Sequence, residues 1–86
     1  MHTADLLDHA LRAAERLGYE IRQEWLGGSG GGDCEIKGQK WLFVDLSLSL
    51  PDQLHLVVEA LRREPAAANL ELSPPLRQLV LGKKAA

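Results

Sequence analysis

The sequence predicts an α+β protein. Its core is a three-stranded antiparallel sheet, in the chain order helix–strand–strand–strand–helix–short helix, with helices 1 and 2 packed on one face. Three observations carry this expectation. Apolar residues recur at helical spacing before Gly18 and again after Ser49. Between Tyr19 and Leu48 they alternate with polar residues instead. Glycines and prolines stand at the junctions. With 86 residues, the chain has room for one domain, residues 1–86, and one modest core.

Leu6, Leu7, Ala10, Leu11, Ala14 and Leu17 form one stripe and predict helix 1 over residues 4–17. Thr3 or Asp5 offers a cap, and Gly18 suits the position just past the helix end. Tyr19, Ile21, Gln23 and Trp25 then alternate with Glu20, Arg22 and Glu24, the period of a strand with one wet face. Cys34 and Ile36 alternate with Asp33, Glu35 and Lys37, and Gly38-Gln39 marks a tight turn. The third strand runs from Lys40 to about Leu48. Its even positions Leu42, Val44, Leu46 and Leu48 are apolar; its odd positions include Trp41 and Phe43.

Ser49 is placed to cap helix 2, with Pro51 in its first turn and Asp52 three residues on. Leu54, Val57, Val58 and Leu61 are its apolar stripe, and Pro65 stops it near Arg63. Residues 66–69 connect to Leu70 and Leu72, which either pair briefly or pack as an extended piece. Ser73-Pro74-Pro75 opens a short third helix that Gly82 ends, and residues 83–86 form a frayed tail.

Helices 1 and 2 are expected over the face of Leu42, Val44 and Leu46. Trp41 and Phe43 then occupy the opposite face. Two large aromatics on a three-stranded sheet need a cover. Either the segment from Leu70 to Val80 folds back over them, or a second subunit does. Pairing across a dimer could also close the two open sheet edges.

The run Gly27-Gly28-Ser29-Gly30-Gly31-Gly32 holds five of the eight glycines. Ordering it is costly, because glycine loses more backbone freedom on folding than any other residue. Such a run is a flexible connector, a close approach of backbone to something else, or an engineered linker. A phosphate cradle needs a helix N-terminus after the loop, commonly with a lysine. Here another strand follows and the loop has no lysine, so a flexible connector is the expected role.

A net charge of −2 argues against broad binding to nucleic acid or anionic membranes. No apolar run approaches the roughly 20 residues of a membrane span. Met1-His2-Thr3-Ala4-Asp5 lacks the pattern of a signal peptide, so a cytoplasmic chain is expected. The single cysteine permits no internal disulfide, and no Cys/His zinc spacing exists. No cofactor or metal is expected.

Three small constellations carry possible chemistry. Glu35-Ile36-Lys37 has the Glu-x-Lys spacing of metal-dependent nucleases, with Asp33 on the same face and Glu20 or Glu24 available from a neighbouring strand. An exposed strand face explains the same residues. His55 and Glu59 lie one helical turn apart, which gives two metal ligands where a catalytic zinc needs three; a solvated pair is the plainer reading. Cys34 stands at an apolar alternation site with no histidine placed beside it, so a buried, inert thiol is expected.

Residues 30–40, Leu42-Phe43-Val44, Gln53-Leu54 and residues 57–61 together resemble the core of ImmA/IrrE-type zinc peptidases. In that family a Gly-rich stretch leads into a hairpin, and a short link enters a helix bearing H-E-x-x-H. The likeness covers residues 27–63. Aligned on Glu59, the zinc histidines fall at Val58 and Arg62, so the resemblance implies a metal-free shape without the chemistry. The whole chain also resembles small bacterial proteins of the same helix–hairpin–helix pattern.

The residues therefore point to a non-enzymatic binding or accessory module. It would be a homodimer or bind a protein partner, with Trp41, Phe43 and Trp25 as anchors. The alternative is a divalent-metal-dependent enzyme, nuclease-like or degenerate peptidase-like, using Asp33, Glu35 and Lys37.

Overall fold

Helix α1 spans Thr3–Arg16 and ends where Gly18 takes φ +93°, a left-handed conformation that favours glycine. The start differs from expectation. His2 occupies the N-cap and no side chain caps the helix, so neither Thr3 nor Asp5 has that role. Strands β1 (Tyr19–Glu24), β2 (Gly31–Ile36) and β3 (Gln39–Asp45) follow, then α2 (Leu50–Arg62), a 3-10 turn (Pro65–Asn69) and α3 (Pro74–Leu81). This computed structural model describes residues 2–82. The expected frayed tail, residues 83–86, lies outside them.

The sheet is mixed rather than antiparallel, with strand order β1-β3-β2. β3 runs parallel to β1, with Ile21 beside Leu42, and antiparallel to β2, with Asp33 beside Leu42. The most apolar strand takes the centre, because it alone has large apolar side chains on both faces. Alternation gives each strand its two faces but not its neighbours, so the meander expected from chain order does not form. The hairpin turn is Lys37-Gly38, one residue earlier than expected. Both residues have positive φ, +51° and +81°, which suits the right-handed twist of a two-residue hairpin. β3 ends at Asp45, so Leu46 and Leu48 lie beyond the strand.

Leu42 and Val44 are fully buried beneath α1 and α2, joined by Leu7, Ala10, Ala14, Val57 and Leu61. The small alanines of α1 let the two helices approach closely. Ser49 caps α2 as expected, its hydroxyl accepting from the Asp52 amide at 3.3 Å. Leu70 and Leu72 are extended and half-buried rather than paired. α3 buries Leu76 and Val80 against α1 and α2, and the Arg62 guanidinium donates to the Leu79 carbonyl at 2.7 and 2.9 Å. The C-terminal segment thus belongs to the helix layer, not to the opposite sheet face.

Candidate functional site

The face of the sheet turned away from the helices is the candidate site. Strand register fixes its membership. Trp41 and Phe43 stand at its centre on β3. Glu20 is beside Trp41 and Arg22 beside Phe43 on β1; Cys34 and Gly32 flank them in the same order on β2. The two aromatic rings stack with centroids 6.1 Å apart and planes inclined by 17°. Both are half-buried, and no helix of the described residues lies over them. Arg22 Nε donates to Glu24 Oε2 at 3.3 Å along the strand.

Asp45 is the next residue of β3 with its side chain on this face, and it is fully buried. The glycine run buries it. After Glu24 the chain crosses the end of β3 to reach β2, and its amides turn inward onto the carboxylate. Leu26 N–H donates to Oδ1 at 3.0 Å, while Gly28 and Gly30 N–H donate to Oδ2 at 2.8 and 3.1 Å. The amide and hydroxyl of Ser47 donate to Oδ1 as well. The Ser47 hydroxyl, aided by these amides and opposed by burial, holds the Asp45 carboxyl well below the usual range. The loop is therefore an anion nest whose anion is the chain's own.

Gly31 already belongs to β2. At φ +86°, a Cβ there would lie 2.1 Å from the Phe43 carbonyl oxygen, so backbone approaches backbone. Of the three meanings open to the glycine run, close approach describes this position. Trp25 heads the loop and is 75% exposed, outside β1. It touches neither ring of the stacked pair closely enough to extend the stack, so the three expected anchors form a pair and an outlier.

The hairpin acids look the other way. Asp33 and Glu35 occupy the helix side of β2, beside Leu42 and Lys40. Asp33 accepts from the Arg63 guanidinium, at the end of α2. Lys40 Nζ lies 3.0 Å from Glu64 Oε2 and 4.8 Å from the centre of the Tyr19 ring. Burial, then the Asp33 carboxylate, pushes the Tyr19 phenol up. Lys37 sits in the turn, where strand alternation no longer governs its direction. Glu20 and Glu24 are on the opposite face, and β3 separates their strand from β2, so they do not join Asp33 and Glu35. Among the described residues no three acidic, histidine or cysteine side chains converge as metal ligands.

Cys34 corrects the expectation of a buried thiol: it is exposed. Its alternation with acidic neighbours is real, but its face is the open one, shared with Trp41, and β2 is an edge strand. His55 is exposed and Glu59 half-buried on α2, along a shallow groove of about 380 Å³ floored by Leu54, Val58 and Leu79.

Sequence reasoning missed Asp45. The available signal was an acidic residue at the end of an apolar strand with serine two residues on, a pattern that favours local side-chain-to-backbone bonding. No family model, curated protein or solved structure matches the chain.

Proposed function

We propose that this chain is a small non-enzymatic binding module of the cytoplasm that self-associates through the open sheet face. The observation that supports this most is the stacked Trp41–Phe43 pair on a face that no described element covers. α3, the element that could have covered it, is spent on the helix layer. Burying two aromatic side chains is a large source of association free energy, and such residues recur at the centre of protein interfaces. The glycine loop bounds one end of the face and is held still by Asp45, so the surface is preorganised.

The metal-enzyme reading has less support. Its acids are split between two faces, and Asp33 is occupied by Arg63. The likeness of residues 27–63 to a zinc-peptidase core is, on the present proposal, one of shape.

Sedimentation velocity of the native chain and Trp41→Ala, over about 10 µM to about 1 mM, tests the proposal in the range expected of small interfaces. A concentration-dependent dimer that Trp41→Ala converts to a folded monomer is the expected result. A native chain that stays monomeric throughout removes the proposal.

A further inference from the structure

Resting on that reading, we infer that the partner on this face is a second copy of the chain, packed face to face with its β3 antiparallel to β3 of the first. The register makes the face complementary to itself. At its centre, along the strands, it has two successive rows. One row is Glu20, Trp41 and Cys34; the next is Arg22, Phe43 and Gly32. A twofold axis running across the strands, midway between the rows, lays each row over the other row of the partner.

Each position of the two central rows then meets a complement. Trp41 faces the partner's Phe43, and the partner's Trp41 faces Phe43. Glu20 faces the partner's Arg22, twice by symmetry. Cys34 faces Gly32, which has no side chain and therefore leaves room, and Ile36, further along β2 on the same face, lies over the end of the partner's glycine run. Packed sheets lie about 10 Å apart, a gap that side chains of this size fill from both sides.

The other face-to-face twofold, with its axis along the strands, does worse. It lays β1 over the partner's β2, so Glu20 meets Cys34 and Arg22 meets Gly32, and neither charge gains a partner across the interface for the hydration it loses. Arg22 is already bonded to Glu24 through Nε. Its remaining guanidinium donors stay available for a second carboxylate.

Charge variants test the arrangement. Arg22→Glu makes the β1 column wholly acidic, and Glu20→Arg makes positions 20 and 22 both basic. Both sites are exposed, so each variant is expected to fold; far-UV circular dichroism and the urea midpoint check this. Alone, each places like charges across the axis and weakens self-association by about ten-fold or more. Mixed in equal amounts, they restore two opposite-charge pairs per dimer, and association returns to within about three-fold of native. Where either variant unfolds, Glu20→Lys and Arg22→Asp repeat the design.

A native dimer lost in Trp41→Ala but unmoved by either charge change, or not rescued by mixing, overturns this arrangement and leaves self-association through the face standing. A native chain monomeric to about 1 mM, where even an association of about 4 kcal/mol would show, overturns both.

Discussion

The two faces of β3 are built from adjacent residues and have opposite fates. Leu42 and Val44 point toward the helices and are fully buried. Trp41 and Phe43 point away and are only partly buried, although they are the larger and more apolar pair by surface. Apolar character therefore does not decide burial here; the availability of a covering layer does. The helices are consumed on one side, and α3 joins them there. At the end of the strand the open face closes after all, over a carboxylate rather than a hydrocarbon. Asp45 is buried there because the glycine loop brings it three amide donors. One strand thus shows three ways to treat a side chain: pack it, leave it for a partner, or surround it with backbone.

The largest effect should come from the packed face. Leu42→Ala removes a fully buried side chain between two helices and a sheet, and should cost about 3–4 kcal/mol. In an 86-residue domain that is a large part of the total stability. Chemical denaturation measures it. A loss below about 1 kcal/mol would mean that the helices collapse freely onto the gap, and the inner face would not be the rigid half of the comparison.

Gly31→Ala should come next, at about 2–3 kcal/mol, from steric conflict and a left-handed φ together. The added Cβ would strike the Phe43 carbonyl, on the strand that carries the open face. Its signature is local. Hydrogen exchange should quicken at the β2 amides paired to Val44 and Phe43 before it does so in α1. Uniform acceleration across the chain would show instead that the open face has no independent stability. The same change at Gly28, which has open space around it, carries only the conformational cost of its φ of +90°.

How much of this was legible in the residues divides along the same line. Period and punctuation placed the three α-helices and the three strands, though not the 3-10 turn at Pro65–Asn69 or the strand ends at Gly31 and Asp45, because each element depends on its own neighbours in sequence. Ser49 and Gly18 announced their roles for the same reason. Strand order was not legible. It depends on which strand can use two apolar faces and on whether a glycine run can bend across the end of a strand. The direction of Cys34 follows from the hairpin register, which sets it beside Trp41 on the open face, so the thiol expected inside is outside. Trp41 and Phe43 were legible as a face needing cover. The claim of the helix layer on Leu76 and Val80, which leaves that face open, was not. Asp45 was hidden because an acidic residue after an apolar run looks like the end of burial, whereas here it is the deepest polar group.

The smallest effect under ordinary conditions concerns that carboxylate. Its folded-state pKa lies below the usual value of 3.8, so the unfolded chain binds the proton more readily. The stability that ionised Asp45 contributes is therefore complete above about pH 5. It declines as pH falls below 3.8 and is exhausted only once the folded carboxyl also protonates, in strong acid. The slope of the native chain alone sums the contribution of Asp45 with those of the other acidic side chains. Comparison with Asp45→Asn removes their contribution. An amide at this position presents donors to Gly28 or Gly30, which are donors themselves, so the variant is less stable at neutral pH. The gap between the two urea midpoints should be constant from pH 7 to pH 5 and narrow steadily between pH 4 and pH 2. Parallel profiles would mean that the nest holds the acid and its amide equally well. The open face would then end at a loop fixed by its glycines, and the buried carboxylate would have no part in holding it.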